Sequence, residues 1–169
     1  MKRIIACFAV ALMLCSCSRD NNPAIKNLSI DHIVKVVSES APAELGYSDV
    51  SKYYLISQFS KLQNLKDLKV FTCNDSLNFN EFGVFEFASV EDAEKGIKKI
   101  KEYLYTAKKE FEKGIIYDTE EYPKFQNATA KVFGNFVFYG ILDKDNIKKA
   151  ISTIEELVQK RDNYEVNSK

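Results

Sequence analysis

Histidine is nearly absent: of 169 residues only His32 carries an imidazole. Four cysteines are present, and three of them fall within the first 17 residues. A Ser-His-Asp or Cys-His catalytic pair therefore has almost no material to draw on. Glycine-rich phosphate loops, a serine nucleophile elbow and spaced Cys/His metal pairs are also missing, so no cofactor and no metal is expected. Neither sign of charge dominates, with 24 Lys+Arg against 24 Asp+Glu. That balance removes the electrostatic argument for a nucleic-acid partner. No apolar run reaches the roughly 20 residues that a membrane-spanning helix needs.

What is present begins at the N-terminus. Lys2 and Arg3 precede an apolar run over 4–14, and the small or polar residues Cys15, Ser16, Cys17 and Ser18 follow. A run of this length fits the core of a secretory signal peptide, about 7–15 residues. The basic start matches an N-terminus retained in the cytoplasm. Leu14-Cys15-Ser16-Cys17 resembles the lipobox of bacterial lipoproteins, with an aliphatic residue three before the modified cysteine and a small one just before it. Cys15 is an unusual but small occupant of the place between. The resemblance implies cleavage after residue 16 and a thioether-linked diacylglycerol on Cys17, whose two acyl chains give stable anchoring on the outer side of the cytoplasmic membrane. Loss of residues 1–16 removes two basic groups and leaves a small acidic excess. It also leaves Cys73 as the only free thiol, expected as a partly buried apolar residue.

The expected organisation is a tether over 17–27, one domain over 28–160 and a frayed polar tail over 161–169. Ile30, Ile33, Val34 and Val37 share a helical face behind Ser29 as N-cap, with His32 off that stripe as an exposed helix residue. The aromatic and aliphatic run over 53–59 reads as a strand. The stretch 61–80 is ambiguous, because Leu62, Leu65 and Leu68 suggest a helical turn whereas residues 70–72 look extended. A strand over 82–87 leads into the strongest signal in the chain. Ser89 and Asp92 resemble a capping box, and Ala93, Ile97, Ile100, Leu104, Ala107 and Phe111 form one stripe of a long helix. The lysines of that helix could face anionic wall polymers or headgroups, but interleaved glutamates favour a solvated surface. Gly134-Asn135 lies between two β-rich runs as a tight hairpin turn. Asp145 is placed to cap a final helix bearing Ile147, Ala150, Ile151, Ile154, Leu157 and Val158. The order predicts an α+β fold, a two-layer sandwich of about four antiparallel strands with helices on one face.

Leu45-Gly-Tyr-Ser-Asp-Val-Ser-Lys-Tyr-Tyr54, Phe82-Gly-Val-Phe-Glu-Phe-Ala-Ser-Val-Glu-Asp-Ala93 and Tyr122-Pro-Lys-Phe-Gln-Asn-Ala128 with Val132-Phe-Gly-Asn-Phe-Val-Phe138 resemble a family of small lipoproteins of Gram-positive, mainly clostridial bacteria, domain of unknown function 4358. The likeness spans about 45–160, with a longer segment here around 62–80. It implies a compartment and no mechanism.

Candidate chemistry is sparse. Asp143 and Asp145 begin like a calcium loop without its glycine or distal glutamate, so helix capping is the better account. Asp118, Glu120 and Glu121 could supply an acid and a base for sugar-bond cleavage. Phe and Tyr total 21 residues. Tyr53, Tyr54, Tyr122, Phe125 and Tyr139 are the candidates for a binding surface on the open sheet face. The expectation is a non-enzymatic, membrane-anchored module that binds an envelope protein or wall component. The alternatives are an envelope hydrolase using acidic residues and a small-ligand carrier.

Overall fold

The computed structural model describes residues 28–114 and 120–167, the last seven as backbone alone. Its elements are helix α1 (Ile30–Ser38), strand β1 (Tyr47–Asp49), helix α2 (Ser51–Ser57), β2 (Leu65–Cys73), β3 (Glu81–Phe87), α3 (Val90–Lys113), α4 (Tyr122–Asn127), β4 (Thr129–Phe133), β5 (Phe136–Ile141) and α5 (Lys144–Asn167). A short 3-10 turn, Ala43–Leu45, joins α1 to β1. All strand pairs are antiparallel, in the order β1-β2-β3-β5-β4.

The α+β class with a packed antiparallel sheet is the one the sequence predicts. Two details differ: the sheet has five strands, and the helices occupy both of its faces. Phe82, Val84, Phe136 and Phe138 point to one face, where α1 and α5 bring Ile33, Val37, Ala150 and Ile154. Phe85, Phe87, Val137, Tyr139 and Ile141 point to the other, under Ala93, Ile100 and Leu104 of α3 and Phe125 of α4. Every residue of β5 is buried. The physical reason lies in the composition of β3 and β5, whose apolar runs without polar alternation belong to strands covered on both sides. Among the described residues, both faces of the sheet therefore carry a helical layer.

The long helix forms as its pattern predicts. Ser89 Oγ accepts the Asp92 N–H at 3.1 Å and its hydroxyl donates to the Asp92 carboxylate at 2.6 Å. The Glu91–Lys95 pair closes at 2.7 Å in solvent, where it contributes little. Burial of Ile100 and Leu104 holds the helix down, at about 1.5–3 kcal/mol each. In α1, Ser29 and His32 cap reciprocally: His32 Nδ1 accepts the Ser29 N–H at 3.2 Å and lies 3.0 Å from Ser29 Oγ. His32 is therefore a half-buried capping residue rather than a merely exposed one. The hairpin turns at Gly134, φ +59°. Its Asn135 carbonyl takes the Phe87 N–H at 2.9 Å and latches the turn to the end of β3.

The expected strand over 53–59 is instead α2. Asp49 Oδ1 accepts the Ser51 N–H at 2.9 Å and starts a helical turn, overriding the β-prone run Tyr53-Tyr54-Leu55-Ile56. The ambiguous stretch resolves as β2, paired along its length with β3. The last helix starts two residues earlier than a cap at Asp145 would place it, with Asp143 O accepting the Ile147 N–H at 3.0 Å and Asp145 in the first turn. Its backbone stays helical through Asn167, where a frayed tail was expected. The expected signal peptide, lipidated Cys17 and tether fall on residues 1–27, outside the described residues.

Candidate functional site

The α3 face of the sheet does not close completely. Between the C-terminal half of α3, the loop joining β2 to β3, and Phe125 of α4 lies a cleft of about 860 Å³, within the range of small-molecule sites. Phe79, Phe111 and Phe125 form its apolar wall. Phe111 and Phe125 stack at 4.4 Å and 24°, and Phe79 meets Phe111 edge-on at 5.3 Å. Tyr54, Thr72, Cys73, Asn80 and Glu81 supply its polar lining.

Glu81 opens β3, and strand parity turns its side chain, with Gly83, Phe85 and Phe87, toward α3. It is 7% exposed and accepts three phenol hydroxyls from three different elements. Tyr139 of β5 donates to Oε1 at 2.6 Å, Tyr103 of α3 donates to the same atom at 2.7 Å, and Tyr54 of α2 donates to Oε2 at 2.5 Å. Burial pushes the Glu81 carboxyl above its ordinary range, against the smaller opposing pull of the three phenols. Burial first, and then the charge of Glu81, raises all three phenols, which remain protonated donors.

Gly83 makes this arrangement possible. It pairs with Tyr139 across the sheet, and a Cβ on it would fall 2.2 Å from Tyr139 Cε1. The Tyr139 ring crosses β3 through that gap to reach Glu81. Gly83→Ala is expected to push the ring off the carboxyl and to lower stability by about 1–3 kcal/mol, readable as a drop in the urea midpoint.

Beside Glu81, Asn80 is 1% exposed. Its amide NH₂ donates to Tyr47 Oη at 3.3 Å and its backbone N–H to Asn78 Oδ1 at 3.0 Å. Its own Oδ1 has no partner. An orphaned buried carbonyl costs about 1–3 kcal/mol.

A buried ion pair fixes the rim. Lys124 Nζ donates to Glu121 Oε1 at 2.6 Å and lies 3.3 Å from Asn78 Oδ1, and Glu121 Oε2 accepts the Phe79 N–H at 2.8 Å. The pair ties α4 to the β2–β3 loop and holds Phe79 in the cleft wall.

The five aromatic candidates separate. Tyr54 and Phe125 line the cleft, and Tyr139 lies wholly buried beneath it. Tyr122 stacks behind the wall on Phe111 at 6.1 Å and donates to Glu112 at 3.0 Å. Tyr53 stands outside it, 66% exposed on α2. Of the acidic candidates, Glu121 is occupied by Lys124, Glu120 is exposed, and Asp118 lies outside the described residues. Cys73 is half-buried in the cleft lining, its sulfur accepting the Asp75 N–H at 3.4 Å. Among the described residues no three His, Cys, Asp or Glu side chains could hold a metal ion. No described helix is long and apolar enough to cross a membrane.

Sequence reasoning missed Glu81, Asn80, Tyr103 and the Phe79–Phe111 wall. The available signal was parity: Glu81 falls in register with Gly83 and Phe85, on an inward face.

These features define an α+β domain with an antiparallel five-stranded sheet between two helical layers and a ligand-sized cleft on one side. The model of the family described as Domain of unknown function (DUF4358) matches residues 37–142, and the chain belongs to that family. The match runs from the last turn of α1 to the residue after β5, so it includes the whole sheet and the cleft. No curated protein and no solved structure matches the chain.

Proposed function

We propose that this protein is a lipid-anchored, extracytoplasmic, non-enzymatic binding module of a Gram-positive, clostridial-type envelope, and that its domain holds a small ligand in the cleft beside Glu81. The observation that carries the binding role is the cleft itself: about 860 Å³, walled by three phenylalanines, with Tyr54, Thr72, Asn80 and Glu81 in its polar lining. Such a combination of apolar wall and few convergent polar groups is the usual form of a ligand site. The anchor rests on the basic start, the apolar run and Leu14-Cys15-Ser16-Cys17.

Ala107 lines the cleft from α3 and is half-buried, so Ala107→Trp fills it from the helix side. Nile red added to the protein is expected to brighten with the wild type and to lose at least three quarters of that gain with Ala107→Trp. Equal brightening with a circular dichroism spectrum unchanged would remove the cleft as the binding site. An alkyne fatty acid fed to expressing bacteria is expected to label the wild type and not Cys17→Ala. Label retained on the alanine variant would sink the anchor.

A second reading, an envelope protein partner, is favoured by one observation. Tyr53 and Ile56 of α2 stand 66% and 68% exposed, one helical turn apart.

A further inference from the structure

A second, smaller notch of about 290 Å³ lies between the middle of α3, the end of α4 and the start of β4. That volume stands at the lower limit of small-molecule sites. Leu104, Phe125, Ala128 and Ala130 give it apolar walls, and Phe125 lines the larger cleft as well. Its neutral polar groups are Tyr105, Gln126 and Thr129, and its charged groups are Lys101 and Lys108. Among the described residues no carboxylate lines it. The two lysines therefore set its sign.

Helix spacing explains why this pair lacks counter-charges. Lys101 and Lys108 are seven residues apart, so they share one face of α3 at a distance of about two turns. The positions three and four away from Lys101 hold Ile97, Lys98, Leu104 and Tyr105, none of them acidic. Around Lys108 the only acid at those positions is Glu112, which is taken by Lys109 at 2.8 Å and by the Tyr122 hydroxyl at 3.0 Å. Glu91 and Glu102 go to Lys95 and Lys99, each at 2.7 Å. Lys108 lies over the Tyr122 ring at 5.9 Å, a contact with a neutral group that leaves its charge in place. The interleaved glutamates thus neutralise other lysines of the helix and leave these two.

Two like charges that line one hollow repel, and an anion between them replaces that repulsion with two charge-assisted contacts. Dissolved salt does the same for any exposed lysine. What the notch adds is an apolar wall, which a hydrated inorganic ion does not use and an organic body does. We infer that the notch is a second binding site, for a small organic anion. Its head, a carboxylate or a phosphate ester, lies between Lys101 and Lys108, and its apolar body lies against Leu104, Phe125 and the two alanines. This site goes beyond the cleft proposed above and does not depend on it.

Thr129 and Ala130 line the notch and not the cleft, so their backbone amides report its occupancy. The experiment follows those two amides by ¹⁵N-edited NMR of the full protein at neutral pH and low ionic strength. Four probes are titrated in turn: benzoate, phenyl phosphate, benzyl alcohol and inorganic phosphate. The better of the two aromatic anions is expected to bind at least tenfold more tightly than the neutral alcohol or inorganic phosphate, and its identity names the head. Lys101→Gln with Lys108→Gln is expected to weaken that anion at least tenfold. The melting temperature should hold, because among the described residues neither lysine has an ion pair to lose. Lys95→Gln with Lys99→Gln removes the same charge from the same helix outside the notch and should change the affinity less than twofold. Ala107→Trp, which fills the cleft, should leave it unchanged. Equal losses in the two lysine double variants would reduce the effect to diffuse surface charge and overturn the inference. So would loss in Ala107→Trp, which would place the anion in the cleft. Inorganic phosphate as tight as the aromatic anions would mean an adventitious ion only, and benzyl alcohol as tight would remove the role of charge. Amides that move with none of the four probes would remove the site altogether.

Discussion

Lys124→Met is expected to lower the stability of the domain by about 3–5 kcal/mol, a large share of the roughly 5–15 kcal/mol that holds a domain together. Glu121 and Lys124 are both more than nine-tenths buried as residues, and their side chains meet at 2.6 Å. Removal of the ammonium leaves a carboxylate in an apolar site with only the Phe79 N–H as partner. The loss therefore comes from the stranded charge more than from the missing attraction. The double change Glu121→Leu with Lys124→Met removes both charges and is expected to recover most of it. It leaves the Phe79 N–H without its acceptor, which retains a penalty of about 1–3 kcal/mol. Chemical denaturation of the two variants and the wild type measures both steps. A double variant no more stable than Lys124→Met would mean that packing, and not charge, sets the cost. Because the pair also holds Phe79, the single variant is expected to weaken Nile red binding even where it remains folded.

The parts of the fold legible in the sequence are those whose signal is local and repeated. The α3 stripe from Ala93 to Phe111 and its Ser89 cap lie within one segment, and so do Gly134-Asn135 and the β-rich runs on either side. The segment 51–57 misled because side-chain preference and backbone capping disagree there. Tyr53, Tyr54, Leu55 and Ile56 favour strands, yet Asp49 captures the Ser51 N–H and only Tyr54 turns inward. Leu65 and Leu68 are three apart, a helical spacing, but each is paired with a residue of β3. Pairing partners of this kind are not visible in a local window.

The two helical layers were legible in principle. Residues 82–85 and 136–141 contain no charged residue, whereas a strand with one wet face alternates. Assigning each helix to a face needs the register of the whole sheet, which the composition of single segments does not contain. The site has the same difficulty in sharper form. Tyr54, Phe125 and Tyr139 stand out as aromatics near strands, but the group that organises them is a single glutamate at the start of β3. Its three hydroxyl partners come from residues 54, 103 and 139, on three elements separated by long stretches of chain. A carboxylate with three phenols is a product of tertiary packing, and Gly83, which lets Tyr139 reach it, looks in the sequence like an ordinary break in an apolar strand.

That carboxylate gives the second large effect, a stability that falls with rising pH where Glu81 titrates. In the folded domain burial raises the Glu81 carboxyl above the ordinary glutamate value of 4.5. Between that value and the raised one, the folded chain keeps a proton that the unfolded chain has released. Stability therefore decreases as pH rises through this window, by up to about tenfold in the folding constant per pH unit. The contribution of Glu81 is complete below 4.5 and lost above the raised value. Glu81→Gln is neutral at every pH and keeps one acceptor for Tyr103 and Tyr139, although its NH₂ must find a lone pair on Tyr54. Across that window its unfolding midpoint should stay flat relative to the wild type, so the difference between the two profiles isolates the buried carboxyl. A difference that grows as pH falls toward 4.5 and levels off above the window supports the assignment. Parallel profiles would mean that Glu81 titrates alike in both states, and that the three phenols stabilise its charge as well as water does.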